Sequence, residues 1–513
     1  MFKFEPDPFM VGGDEDDLEG FRNQINSISE GGGRNWVFPK KPTGKFTNAR
    51  EIVASILLLF FFSAPFIKIS GHPFLQFNFI ERKFVIFGSA FWPSDFHLLA
   101  IGGLTMLLTV VILTAVFGRI WCGWACPQTI FMEHVFRKIE YWIEGDRSAQ
   151  IRLDRQDWNK EKILKKGIKH IVFFAVSFLI ANLFLSYIIG VDALWQIIKE
   201  PILAHWVGFL SITIFSFVFY SVFSRFREQV CHFACPYGRH QSVMVNDDTI
   251  CVSYDFKRGE KRANQKVRVQ EKKKQAHAQT QTQVANATAI DEISLVALAE
   301  GAKVPESKPY GDCIDCEECV RVCPMGIDIR NGIQLECIHC TACIDACNNV
   351  MEKIGKPKDL IKYTSYNNIK NGVNSIFTLR IKAYIGVLAI LSSLFIYLLT
   401  TRTEIEAIVT REPGIMLTRI NESTSSNLFN YKFVNKTFDS KNIELKVLNP
   451  TSAELVSFGG FPIVPDQEIT SGRFMIILPN TDLQGGKSTI KLGLFVEGKQ
   501  IETLETRFTG PQN

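Results

Sequence analysis

Eight of the thirteen cysteines fall between residues 313 and 347, as Cys313, Cys316, Cys319 and Cys323, then Cys337, Cys340, Cys343 and Cys347. Each half follows C-x2-C-x2-C-x3-C, the spacing of bacterial two-cluster ferredoxins. Three thiolates on one tight loop can reach three corners of a [4Fe–4S] cube. The fourth, one residue further off, points away and serves the other cube. The spacing therefore assigns Cys313, Cys316, Cys319 and Cys347 to one cluster, and Cys337, Cys340, Cys343 and Cys323 to the second. Pro324 follows Cys323 as the pattern expects, whereas Asn348 after Cys347 departs from it. A structural zinc site would use Cys316/Cys319 and Cys337/Cys340 but leave four cysteines at matching offsets unexplained. A disulfide framework conflicts with the reducing side of a membrane, where the charge pattern below places this segment.

A second cysteine system comes earlier in the chain. Cys122 and Cys126 precede Pro127, and Cys231 and Cys235 precede Pro236, each as C-x3-C-P directly after an apolar run. On a helix, positions i and i+4 would put both sulfurs on one face. The proline favours a break or a new helix, whose first amides would stabilise a thiolate. Brought together, the two pairs would make a four-sulfur site at the membrane surface. Thiolates suit Cu(I), zinc or an iron–sulfur cluster, and the spacing leaves these open. Buried free cysteines at helix ends are the structural alternative. Cys251 has no partner pattern and reads as structural.

These cysteines need elements to hold them. The 513 residues combine 42 phenylalanines with 21% charged residues, a hybrid of membrane and soluble parts. Five apolar runs are long enough to cross a bilayer, at about 50–69, 96–118, 168–190, 203–224 and 380–400. Asp192, Lys199 and Pro201 predict a short loop between the third and fourth. Lysine and arginine gather in the leader, in loop 119–167 and after the fourth run. The opposite loops carry only Arg82, Lys83 and Lys199. This bias predicts a cytoplasmic N-terminus and ferredoxin segment, with residues 403–513 outside.

The expected organisation has six parts. Residues 1–49 are a leader, acidic and glycine-rich at first and expected to be partly disordered. Residues 50–256 hold four transmembrane helices, both C-x3-C-P motifs and an interfacial helix from Pro127 to Gly145. Residues 257–308 are a basic, then Gln/Thr-rich linker. A two-cluster α+β domain follows over 309–375 and a fifth transmembrane helix lies within 376–402. The last part, 403–513, shows about seven short alternating runs divided by Asn, Gly, Pro and Asp turns, the pattern of an immunoglobulin-like β-sandwich. It contains no cysteine and no catalytic set.

The histidines divide in the same way. His97 and His205, near the outer ends of two spans, would have to face one another to hold a haem; His134 and His232 lie near the membrane-face cysteines and could add ligands. His170 sits near the inner end of the third span. No recognition module accompanies the basic stretches, so nucleic acid is not an expected partner.

Together the paired C-x3-C-P motifs, the run Tyr254-Asp255-Phe256-Lys257-Arg258-Gly259-Glu260 and the stretch from Gly311 to Gly355 resemble the cytochrome c oxidase accessory proteins of the CcoG/FixG (RdxA) family, membrane-bound polyferredoxins. The resemblance covers about residues 35–510, with the linker at 262–305 as an insertion. It implies a multi-pass protein of the bacterial inner membrane, with two [4Fe–4S] clusters in the cytoplasm and a periplasmic sandwich. It further implies reduction of Cu(II) to Cu(I) for assembly of a cbb3-type oxidase. Copper, bound at Cys122, Cys126, Cys231 and Cys235, would pass to oxidase assembly factors or copper carriers, and the electron donor is unspecified. Two other functions fit the same residues: an electron-transfer subunit serving a quinone or partner complex, and a non-enzymatic assembly scaffold.

Overall fold

The computed structural model describes residues 34–270 and 310–510, apart from 70, 80–82, 271–272, 335, 374–376, 414–417, 422 and 484–486, together with Lys273 and His277. The leader before residue 34 and most of the linker lie outside the described residues. Five described helical segments are long and apolar enough to cross a membrane: Lys45–Phe66, Pro93–Phe117, Lys160–Ile189, Ile202–Phe226 and Leu379–Thr400. All five coincide with the apolar runs. The third begins earlier than its hydropathy, because Lys160–Ile168 continue the helix on charged residues. The third-to-fourth connection is a helix, Val191–Lys199, where a loop was expected. Its apolar residues recur at helical spacing between Gly190 (φ +87°) and Pro201.

The chain divides into two compact units. One contains the eight-cysteine segment, both C-x3-C-P motifs and the halves of the helices that lead to them. Its soluble part is built on an antiparallel pair, Cys251–Tyr254 against Ile361–Thr364, with Cys251 opposite Thr364. Helix Ala342–Lys353 and the short helix Glu318–Arg321 pack on this pair around Ile338, Ile344, Met325, Met351 and Leu360. Cys251, at one end of this pair, is buried.

The segment after Pro127 departs from expectation. It forms one helical rod with a π turn over Phe131–Phe136, between α turns Pro127–Ile130 and Arg137–Ile143. The extra residue of the π turn rotates the apolar stripe. Phe131, Met132 and Phe136 are thereby buried, with Phe136 stacked on Phe223 at 4.7 Å and Phe131 edge-on to Phe61 at 5.5 Å. One face of the rod packs inside this unit, while Trp142 is exposed on the other. Its polar side is equally buried: Glu140 meets Arg227 and Lys169, and Glu144 lies 2.8 Å from Lys169. Burial would raise the Glu140 carboxyl, but Arg227, Lys169 and Arg137 outweigh it and hold it down to about 2.

The second unit contains the sandwich. Strands Glu454–Ser457, Ile469–Pro479, Thr424–Asn435 and Ile405–Arg411 run in that order in one sheet, with Thr418–Asn421 also on Thr424–Asn435. Ile463–Val464, Lys441–Asn449, Lys487–Val496 and Lys499–Thr509 form the other. Phe429 pairs with Phe474, and Phe433, Ile476, Ile490 and Phe508 complete a dry core. Between the first two spans the same unit carries a three-stranded sheet, Leu75–Asn78, Lys83–Ile86 and Ser89–Phe91, which no sequence pattern announced. Asp95 is buried at its end, 2.7 Å from Lys436 and 2.9 Å from Arg402. Three charges in one buried site hold the hairpin to the sandwich.

Candidate functional site

The eight ferredoxin-type cysteines surround two cavities. Cys323, Cys337, Cys340 and Cys343 line one, with walls of Val252, Met325, Ile327 and Ile329. Cys313, Cys316 and Cys347 line the other, beside Tyr254, Met351 and Leu360. Cys319 borders both, on the short helix that separates them. Helix Ala342–Lys353 presents Cys343 to one cavity and Cys347 to the other. The crossing of the fourth cysteines is thus a consequence of one helix and one turn.

The two binding loops share an unusual backbone. Asp315 and Glu317 in the first, and His339 and Thr341 in the second, all have φ between 53° and 65°. Non-glycine residues in this left-handed region cost about 1–3 kcal/mol each unless the surroundings impose it. Repetition at equivalent positions shows that both loops are bent for one purpose: to turn three sulfurs toward a single point. Main-chain N–H groups of Met325 and Ile327 point at the Cys323 sulfur, that of His339 at Cys337, and that of Ile361 at Cys347. Burial nevertheless pushes the Cys337 and Cys347 thiols up to about 12 and raises Cys323 as well. Eight soft donors, apolar walls and amides aimed at sulfur fit iron–sulfur clusters, whose irons would hold these sulfurs as thiolates.

The membrane-face cysteines are brought together from two separate helix ends. Cys122 lies in the turn Ile120–Trp124; the chain breaks at Ala125, and Cys126 is extended before Pro127 starts the next helix. Cys231 lies in a π turn, Val230–Ala234, and Cys235 is extended before Pro236 starts helix Pro236–Met244. Neither pair lies on one continuous α-helix, so the expected i, i+4 face does not form; the proline starts a new helix in both. Gln241 on the second of these helices donates to Cys122 Sγ at 3.4 Å. Burial pushes Cys122 up to about 11 and Cys231 up to about 12, and each also feels the other membrane-face thiols. Among the described residues, no three His, Cys, Asp or Glu side chains close on a single metal-ion position.

The eight-cysteine domain sits directly on this site. A β-carbon added to Gly123 would stand 2.4 Å from Ile338 O and 3.0 Å from Cys340 N. The loop between Cys337 and Cys340 therefore rests on backbone flanked by Cys122 and Cys126. His339 Nδ1 accepts a hydrogen bond from Arg119 N at 2.9 Å, and Arg50 Nη1 donates to Cys340 O at 2.9 Å. Asp345 caps the first transmembrane helix, accepting from Thr47 N and Thr47 Oγ1, both at 2.7 Å. Spacing gave no sign of Gly123, His339, Arg50 or Asp345. Their one trace in sequence is His339 standing where the first loop has Asp315.

The segments on either side of the linker are joined to each other. Gly311 N donates to Lys261 O at 3.0 Å, and Asp312 N to Arg258 O at 2.9 Å. The Arg258 side chain also holds Asp312, at 2.6 Å. The chain leaves the domain and rejoins it at one point.

The histidines resolve differently. His205 pairs with Glu200 at 2.5 Å and His97 Nδ1 lies 3.2 Å from Ser94 O. His170 meets Tyr220 at 2.8 Å, and His134 Nε2 accepts from Arg50 Nε at 3.2 Å. His232, next to Cys231, has its Nε2 buried without a hydrogen-bond partner among the described residues.

Apolar spans, two cysteine-lined cavities and the membrane-face cysteines packed beside them define a membrane-anchored iron–sulfur electron-transfer protein. Comparisons with known proteins give the same class. The family described as "4Fe-4S dicluster domain" matches residues 226–299 and 290–366, and a "4Fe-4S binding domain" matches 99–148. The "IG-like fold at C-terminal of FixG" matches 395–511. Protein RdxB of Cereibacter sphaeroides is 31% identical, covering 93% of this chain and 96% of RdxB. Protein RdxA of the same organism is 30% identical over 80% of this chain and 82% of RdxA. Nitrogen fixation protein FixG of Rhizobium meliloti is 33% identical over 65% of this chain and 58% of FixG. The chain belongs to the FixG/RdxA family. A crystal structure of a FixG-related protein from Vibrio parahaemolyticus aligns with 21% of this chain and 98% of that chain at 20% identity; its TM-score of 0.18 says nothing of the fold.

Proposed function

We propose that this protein is a cupric reductase that supplies Cu(I) for assembly of a cbb3-type oxidase. Cys313, Cys316, Cys319 and Cys347 hold one [4Fe–4S] cluster, and Cys323, Cys337, Cys340 and Cys343 hold the other. Such clusters, when bound, supply one-electron carriers of low potential. Cys122, Cys126, Cys231 and Cys235 receive the cupric ion, with the unpartnered Nε2 of His232 as a further donor. Each Cu(II) takes one electron and leaves as Cu(I), the state that soft thiolates prefer. This chemistry takes place on the cytoplasmic side of the inner membrane, with the sandwich in the periplasm, a sidedness that the lysine and arginine bias supports. One observation carries the reading: Gly123 leaves no room for a β-carbon between the membrane-face thiols and the Cys337–Cys340 loop. Electron transfer and metal binding are thereby brought within one packed contact.

A second reading has an observation of its own. The segments matched as iron–sulfur-binding, 99–148 and 226–299, contain Cys122, Cys126, Cys231 and Cys235. In that reading the four thiols hold a further cluster and the chain relays electrons to a quinone or partner complex. Anaerobic iron, sulfide and copper analysis with EPR separates the two, using the wild type and a Cys122→Ser/Cys235→Ser variant. Copper reduction requires that the variant keep its iron and lose Cu(I) formation. Loss of iron from the variant transfers the site to the second reading.

A further inference from the structure

Cys323 and Cys343 are the half-buried cysteines of their cavity, and of its four sulfurs Cys323 alone also borders an open cleft outside it. Trp36, Phe38, Arg147, Arg155 and Arg321 also line that cleft. Arg147 and Arg155, on helix Arg147–Arg155, make no ion pair or hydrogen bond among the described residues. Arg321 is shared with Glu318 at 3.2 Å, and the one carboxylate in the lining, Asp154, lies 3.7 Å from Lys166. Trp36 lies under two further guanidinium groups, Arg34 at 4.3 Å and Arg227 at 4.7 Å. Arg34 and Arg227 are matched by Glu228 and Glu140, so the surplus charge is that of Arg147 and Arg155, beside half-buried aromatic rings, the composition of a docking patch for an acidic partner. At the rim of the other cavity Asp315 and Glu317, exposed beside Cys316, are paired with Arg330 and with Arg321, so no unpaired guanidinium stands there.

We propose that this cleft is the electron-uptake port, where an acidic one-electron carrier protein docks on Arg147, Arg155 and Arg321. The proposal rests on the reading that Cys323 helps to hold an iron–sulfur cluster. The carrier is oxidised by one electron and the group at Cys323 is reduced by one; no proton moves and no bond is made. Nicotinamides deliver hydride, which does not match a one-electron acceptor. The choice of Cys323 over Cys316 follows from the unpaired Arg147 and Arg155 at its cleft, since the arginine beside Cys316, Arg330, is already held by Asp315 and Asp328.

The test uses the full chain with its clusters in nanodiscs of phosphatidylcholine, and reduced flavodoxin as the acidic one-electron probe. Stopped-flow absorbance gives the second-order reduction rate, and anisotropy of labelled flavodoxin gives binding. The expected result is a rate that falls with added salt, and falls about ten-fold or more at low salt in Arg147→Glu/Arg155→Glu. Arg147→Gln/Arg155→Gln should show a smaller loss, and binding should weaken in the same order. Bleaching by dithionite, with iron content, shows that each variant is loaded. Lys358→Glu, a charge reversal outside the cleft and outside both cysteine-lined cavities, should keep the flavodoxin rate and its salt dependence. The proposal is overturned by rates and binding that ignore both arginine pairs, or that fall as far in Lys358→Glu. It is also overturned if the arginine effect appears only with phosphatidylglycerol, which would assign the cleft to lipid headgroups. A wild type that dithionite does not bleach would sink the cluster reading itself, and the port with it.

Discussion

His339 and Arg119 are 220 positions apart in the chain, yet the imidazole of one takes a hydrogen bond from the backbone of the other at 2.9 Å. His339 stands between two cysteines of the ferredoxin-type segment, and Arg119 three residues before the first membrane-face cysteine. The bond joins the two cysteine systems into one site.

Gly123 tests how tightly they are joined. A methyl group there meets main-chain atoms of Ile338 and Cys340 that no side-chain rotation can move. Gly123→Ala should cost about 1–3 kcal/mol as an overpacking change. It should raise the alkylation rate of Cys122 while iron content stays at the wild-type level. Wild-type alkylation kinetics in the variant would show that the contact is loose.

The crossed cysteine sets predict a pattern of non-additivity. Cys323→Ser and Cys337→Ser border the same cavity, so the double variant should lose no more iron than either single one, about half. Cys347→Ser combined with Cys337→Ser strikes both cavities and should lose nearly all of it. Iron and acid-labile sulfide analysis of the purified variants distinguishes this pairing from an uncrossed one.

Acid should weaken the membrane-face unit through His134. Burial, with Arg50 and Lys138 nearby, holds its imidazole neutral down to about 3, against an ordinary value of 6.5. Because the native pKa is depressed, the unfolded chain takes up the proton first. The stability that His134 contributes is complete above about pH 6.5 and is lost as pH falls toward 3. The loss reaches up to about 2 kcal/mol by pH 5. Thermal unfolding in detergent from pH 7.5 to 5 should show this decline, and His134→Gln should flatten it.

Removal of residues 271–305 should leave the site intact. Lys261 and Gly311 already close the excursion, and each halving of a loop returns only about 0.6 kcal/mol of closure entropy. Iron content and the reactivity of Cys122 should match those of the full chain. Failure of the deletion variant to load iron would give the linker a part in assembly.

Cysteine spacing, apolar run length and strand alternation determined much of this protein before any coordinates. The two sulfur sets, five spans and a sandwich follow from them, because each depends on neighbours a few residues apart. Alternation in Ile443–Val447, for example, already stated which side chains enter the core. Tertiary structure alone decided what those sets face. Gly123 against Ile338, Asp345 on the first span and the arginine cleft at Cys323 join segments with no common period. Only packing that excludes a single β-carbon, or satisfies a buried donor, selects such contacts. The π turn at Phe131–Phe136 escaped for the same reason: one inserted residue moves a whole stripe, and only the surrounding helices fix where it goes.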